Sequence, residues 1–195
     1  MVARDLLGRD LVCIRSDGTV LVARISETEA YHEQERACHA FAGRRTARTE
    51  PMFAQGGVLY VYFVYGMHWA CNVVTGARDV GEAVLLRGAV PILGAQTMAM
   101  LRGYGPGRPA PQDERRWMDG PGKLAQGLGL TGVLSGQALG QSASVWIAAG
   151  HEVGDAQVVT GPRVGVAYAG DDANLPWRFR IVEQRVPPNY PNYQR

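Results

Sequence analysis

The sequence predicts an α/β mixed (α+β) fold, built as one domain over residues 1–195. Three observations predict it. The chain is 46% hydrophobic and 19% charged, the balance of a globular chain and not of a disordered one. Its length suits a single core of ordinary size. Short β-branched and aromatic runs alternate with turns rich in Pro and in the 25 glycines, while only a few segments carry a helical pattern.

Each element can be justified in turn. "LVCIR" (11–15) and "VLVARISETEAY" (20–31) read as strands joined at the turn "SDGT". "HEQERACHAF" reads as a short helix or helical turn, and "AGRRTARTEP" as a basic loop. "VLYVYFV" and "HWACNVV" form a second hairpin with Tyr65, Gly66 and Met67 at its tip. "EAVLLRGAVPI" is a strand and "GAQTMAMLRG" a helix. Residues 103–120, dense in Gly, Pro and charge, are expected to be a mobile surface loop. "GPGKLAQGLGL" places Pro at a helix start and Lys123 in its first turn. "SVWIAA", "RVGVAYAG" and "WRFRIV" read as further strands, and residues 187–195 as an extended tail.

Composition narrows the function classes. A net charge of +2 is too small to argue for nucleic acid by itself. Lys123 is the sole lysine and every other basic residue is arginine, which suits phosphate and planar partners but also follows from genome composition. Cys13, Cys38 and Cys71 are odd in number and too far apart for a CxxC pair, so neither a disulfide scaffold nor a zinc ribbon is indicated. The N-terminus lacks the apolar core of a signal peptide. The run 58–74 is short for a membrane span and carries His68, Asn72 and a central Gly. A cytoplasmic location with no membrane association is the expectation.

Chemistry concentrates in two places. In "ISETEAY", strand alternation puts Glu27, Glu29 and Tyr31 on one face. A solvated acidic face explains that pattern. So does a carboxylate set among apolar strands, where ionisation is resisted and a general base results. In the hairpin, Tyr60 and Tyr62 share a face and Tyr65 protrudes. A partner interface or a wedge between stacked bases would each use such an aromatic. Arg44, Arg45 and Arg48 stand ready for phosphates on either side. His32 and His39 with Glu33 or Glu35 match no common zinc spacing, no GxSxG occurs, and "GYGPG" is no dinucleotide fingerprint. No cofactor and no metal are expected.

The segments "ISETEAY", "CHAFAGRRTART", "MF", "GVLYVYFVYGMHWACNVV", "AVLLRGAVP", "GPGKLAQGL" and "RVGVAYAG" appear in one order along nearly the whole chain. In this the sequence resembles the alkyladenine (3-methyladenine, N-methylpurine) DNA glycosylase family. The combination of "ETEAY", "YVYFVYGM" and "LLR" carries the resemblance. It implies a curved antiparallel sheet with flanking helices and a protruding β-hairpin that enters the minor groove. It implies a monofunctional, monomeric enzyme that flips a damaged purine from duplex DNA and hydrolyses the bond to deoxyribose. The substrate class is 3-methyladenine, 7-methylguanine, hypoxanthine and etheno-adenine, and a bacterial member would work on the nucleoid.

Carried over by motif, the resemblance makes Glu29 the residue that activates water, with Arg87 helping to orient it. It makes Tyr31, His39 and Tyr62 the stacking walls of a base pocket, with Leu85 packed nearby. Asn72 would reject the exocyclic amine of guanine. Tyr65 is the wedge and Met67 its neighbour. Arg44, Arg45, Arg48, Lys123, Arg163 and Gly165 are the expected DNA-backbone contacts. "YHEQERACH" departs from the family by lacking a Gly-Pro pair and a slightly longer loop, which bears on His39. A purine alkylated on a ring nitrogen is cationic and leaves readily, so one carboxylate can serve where glycosidases usually employ two. A non-catalytic nucleic-acid-binding module and a small-nucleoside hydrolase are the competing readings.

Overall fold

The computed structural model describes residues 1–140 and 142–182. A short helix α1 (Val2–Asp5) precedes strands β1 (Asp10–Ile14) and β2 (Val20–His32). Turns and short 3₁₀ segments lead to the hairpin of β3 (Leu59–Val64) and β4 (His68–Val74), then β5 (Glu82–Leu93). Helices α2 (Ala95–Leu101) and α3 (Pro121–Leu128) follow, then β6 (Val145–Ala148), β7 (Val158–Gly161) and β8 (Arg178–Ile181). Among the described residues the strands form one sheet of eight, in the order β3-β4-β5-β2-β1-β6, with β8 joined to β2 and β7 to β8. Every pairing is antiparallel, as the hairpin-rich sequence predicts.

The two longest strands make the frame. β2, with 13 residues, pairs along one edge with β5, with 12. Along its other edge β2 pairs first with β1, up to Arg24, and then with β8, from Glu27. Strand alternation separates two faces. Leu59, Val61, Cys71 and Val73 enter the main core with Leu11, Leu21, Ile25 and the buried sides of α2 and α3. Tyr60 turns to the opposite face and packs with Cys38, Met52, Phe53, Val74 and Ala83, against Tyr31 and Tyr62. The first face stabilises the fold; the second carries the candidate site.

α3 begins with Pro at its first turn and ends at Gly129, whose φ of 68° supplies the left-handed cap. Its Leu124 and Leu128 are buried, each contributing roughly 1.5–3 kcal/mol relative to exposure. The predicted helices at 94–103 and 120–130 are thus present, as are the strands around "VLVARISETEAY", the tyrosine hairpin, "EAVLLRGAVPI", "SVWIAA" and "WRFRIV". "HEQERACHAF" is a chain of i→i+3 turns closed by the hydrogen bonds Glu35 N–H to His32, Cys38 N–H to Glu35 and Phe41 N–H to Cys38.

One expected strand is absent. "RVGVAYAG" runs as a bend into a 3₁₀ segment over Ala167–Asn174, with Gly165 at φ +77°. Its polar groups are committed elsewhere, because the Val164 N–H and the Arg163 side chain both bond acidic side chains. α1 and β7 have no counterpart in the sequence reading. The segment 103–120 ends in the core: Trp117 and Met118 are buried, and the indole N–H of Trp117 donates to the Pro111 carbonyl at 2.9 Å. Residues 187–195 lie outside the described residues. All three cysteines are free and buried. No helix among the described residues is long and apolar enough to cross a membrane.

A buried ion pair ties β1 to β2. Asp10, wholly enclosed, accepts from Arg24 Nε at 2.8 Å and Nη2 at 3.0 Å. Removing one member of such a pair leaves an uncompensated charge in the interior. Asp10→Ala is therefore expected to lose about 3–5 kcal/mol of stability, read from urea denaturation at pH 7.

Candidate active site

The site is set by two of the three irregularities in the central ladder. Opposite pairs run Ile25↔Ala89, Glu27↔Gly88 and Thr28↔Leu86. Ser26 is thus the extra residue in β2, and Arg87 is the extra residue in β5. Bulges re-aim side chains and sharpen local twist. Here they bring Glu27, Glu29 and Arg87 together across the strands. Gly88, opposite Glu27, leaves little room for a side chain: a Cβ there would lie 3.1 Å from the Glu27 Cβ, so a neighbour would have to give way.

Glu29 is fully buried. Its Oε1 accepts from the Val164 N–H at 2.8 Å, and its Oε2 accepts from the Tyr31 hydroxyl at 2.9 Å. Arg87 Nε stands 3.5 Å from Oε1. Burial pushes the Glu29 carboxyl above the usual range, against the opposing pull of Arg87 and the two hydrogen bonds. Burial and the adjacent carboxylate also push the Tyr31 phenol well up, so that it remains a donor. Arg87 has a nearer acid, with Nε 2.9 Å from Glu27 Oε1. The same Glu27 oxygen accepts from Arg178 Nε at 2.6 Å.

Tyr31, Arg87 and Val164, the three groups that hold the Glu29 carboxylate, line one cavity of about 510 Å³. That size is ordinary for a small-molecule site. Its walls are aromatic. His39 and Tyr62 meet edge to face with centroids 4.6 Å apart, and Tyr60 and Tyr62 lie 5.1 Å apart. His39 Nδ1 is 2.9 Å from the Tyr60 hydroxyl. Burial, with Arg48 and Arg44 nearby, pushes His39 down to about 4, so the imidazole is neutral at pH 7. Asn72 and Leu85 line the same cavity, and Asn72 Nδ2 donates to the Tyr60 carbonyl at 2.9 Å.

The hairpin tip rises at the cavity rim. Tyr65 and Gly66 both have positive φ, 52° and 68°, inside a turn closed by the Met67 N–H to the Val64 carbonyl. A tyrosine in the left-handed region stores about 1–3 kcal/mol of strain, a feature that clusters at functional sites. Tyr65 is 83% exposed and Met67 69% exposed, so the strain does nothing for the core and serves to hold an aromatic out in solvent.

The expected backbone contacts divide. Arg44 and Arg48 are exposed, and Arg48 lies 5.0 Å over the Tyr62 ring at the cavity wall. Gly165 also lines the cavity. Lys123 is half exposed and pairs with Asp119 at 2.5 Å. Arg45 commits its donors to Glu50 and Asp79, bracing the basic loop. Arg163 corrects the sequence reading. Its side chain is wholly enclosed, paired to Glu35 at 2.6 Å and sandwiched between the rings of Tyr31 and Trp177 at 4.7 and 5.3 Å. A guanidinium so enclosed props Tyr31 and the Val164 N–H and has no face left for a phosphate. Reasoning from sequence did not assign roles to Glu27, Glu35 or the Val164 N–H. The same-face spacing of Glu27 was the only signal available, since a backbone donor leaves no mark in a sequence.

Among the described residues, no group of three or more His, Cys, Asp or Glu side chains is placed to hold a metal ion. The arrangement can stack a planar ring in a cavity whose Tyr31, Arg87 and Val164 hold the buried Glu29 carboxylate behind its wall. Comparisons with known proteins place the chain in a family. The family model for methylpurine-DNA glycosylase matches residues 1–185. A protein of Carboxydothermus hydrogenoformans is 42% identical over 185 residues, which cover 95% of this chain and 91% of that protein. One of Methanocella arvoryzae is 42% identical over 179 residues, covering 91% and 84%. One of Natranaerobius thermophilus is 36% identical over 181 residues, covering 92% and 88%. Each bears the name "Putative 3-methyladenine DNA glycosylase". With a match that runs through every element of the sheet and both halves of the cavity, the chain belongs to the methylpurine-DNA glycosylase family.

Proposed function

We propose that this enzyme excises 3-methyladenine and related damaged purines from duplex DNA, acting as a monomer on the nucleoid and leaving an abasic site. The observation that carries the reading is the fully buried Glu29 carboxylate, whose three holding groups all line an aromatic cavity with an exposed tyrosine at its rim. Tyr65 fills the gap in the helix as the nucleotide turns out. The base enters between Tyr31, His39 and Tyr62. Extrusion costs a few kcal/mol, least at a damaged site. Stacking returns roughly 1–3 kcal/mol per aromatic face, so the walls can offset it.

Glu29 then takes a proton from the water that attacks the anomeric carbon while the C–N bond breaks and the purine leaves with the bonding pair. Its raised proton affinity makes it a stronger base than an ordinary glutamate, and Arg87 and the Val164 N–H keep it ionised. A neutral His39 stacks and hydrogen-bonds; at pH 7 it has no surplus proton for a leaving group. Cationic bases such as 3-methyladenine and 7-methylguanine need none. Hypoxanthine and etheno-adenine need protonation from water or another donor. Asn72, fixed through Tyr60, stands where the exocyclic amine of guanine would fall.

Incubation with duplexes each carrying one lesion, followed by alkaline cleavage, tests the reading; intact strands for every lesion would reject it. Glu29→Gln is expected to cut base release by ~10²-fold or more while binding of an abasic-site analogue persists. Because folded Glu29 holds its proton more tightly than the unfolded chain, its contribution to stability is complete below the ordinary glutamate value and lost as pH rises through the folded one. Glu29→Gln should therefore match or exceed the parent in urea midpoint at pH 8. For the same reason activity should fall, on acidification, at a higher pH than an ordinary glutamate would impose. Tyr65→Ala should slow excision from duplex far more than from a single-stranded oligonucleotide carrying the same lesion. Equal losses on both would remove the wedge.

A further inference from the structure

The general-base reading leaves Glu27 unused, although it is the second carboxylate in the same enclosed cluster. Glu27 and Arg87 are mostly buried, with side chains 13% and 17% exposed. Arg87 is the only guanidinium within ion-pair distance of Glu29 among the described residues, and it is shared. Its Nε lies 2.9 Å from Glu27 and 3.5 Å from Glu29. The same Glu27 Oε1 also accepts from Arg178 Nε at 2.6 Å. The row Arg178, Glu27, Arg87, Glu29 thus alternates in sign. The paired bulges at Ser26 and Arg87, and the missing side chain at Gly88, allow that close approach.

We propose that Glu27 is a positioning residue: it holds the Arg87 guanidinium as its own first partner, so that Glu29 keeps a carboxylate able to take a proton from water. This inference rests on the general-base role of Glu29. Other groups facing Glu29 are the Tyr31 hydroxyl and the Val164 N–H, with the Arg163 cation and Tyr62 further off. None of these competes for Arg87. With Glu27 neutral, Arg87 has one anion left to meet and closes on Glu29. The tightened pair lowers the proton affinity of Glu29, and the loss of a like charge lowers it again. The base becomes weaker and less free to engage a water.

The test compares parent, Glu27→Gln, Glu27→Asp and Arg178→Gln. In each, the Glu29 carboxyl is titrated by ¹³C NMR in the free enzyme, and single-turnover base release from a 7-methylguanine duplex is followed against pH. In Glu27→Gln the Glu29 titration and the acid limb of the rate profile should both move down by about one unit or more, with a lower plateau. Glu27→Asp, which keeps the charge, should restore much of both. In Arg178→Gln, Glu27 is left to Arg87 alone, so Glu29 should titrate higher. This partly exposed arginine also keeps the proposal testable should Glu27→Gln fail to fold. A limb and a titration that stay in place, or shifts of the opposite sign, would overturn the proposal. The NMR titration needs no substrate. A parent enzyme that releases no base would therefore reject the functional reading, while an unmoved Glu29 titration rejects the role of Glu27.

Discussion

The site depends on one constraint: a carboxylate fully removed from water needs partners that compensate its charge. Glu29 has no exposed surface, and an unpartnered carboxylate in that position would take up a proton. A phenol, a backbone N–H and a shared guanidinium compensate without fully neutralising it. Each of the three is fixed by something else. Tyr31 is propped by Arg163, Val164 by the bend that follows Arg163, and Arg87 by Glu27. The buried Glu35–Arg163 pair is thus part of the scaffold that holds the partners of the Glu29 carboxylate.

This explains how the aromatic and the ionic halves of the cavity came to share walls. Tyr31 is both a stacking face and a hydrogen-bond donor to the acid. A planar ring resting on it would shield the carboxylate from solvent and strengthen every interaction beneath. The hairpin contributes the opposite wall from a different pair of strands, and the segment 163–168 closes the rim. No element makes the site alone; β2 contributes the acid and the phenol, and the others fix how these are used.

Much of this was legible in the sequence. Period-2 alternation in "VLYVYFV" located the hairpin, and it separated Tyr60 and Tyr62 from Leu59 and Val61 correctly. The same-face spacing of Glu27, Glu29 and Tyr31 also survives in space. What could not be read was anything that depends on a break in regularity. A bulge adds a residue without changing the hydrophobic pattern, so the meeting of Arg87 with both glutamates has no local signature. "RVGVAYAG" has the composition of a strand, yet the Val164 N–H goes to Glu29, the Arg163 side chain goes to Glu35, and the backbone turns into a 3₁₀ segment. Arg163 reads as one more basic residue among many; only burial between two rings reveals it as a strut. β7 was missed because its four residues are short and mostly exposed, without a buried face to mark them.

The opposed bulges also limit how the gene can drift in length. An extra residue in β2 is answered by an extra residue in β5, so losing either one alone would rotate everything beyond it by half a repeat. The acid and the phenol would then point at the helices and the core leucines toward the cavity. Insertions and deletions are consequently confined to the connections, above all residues 33–58 and 103–120, where the chain can lengthen or shorten without reversing a strand.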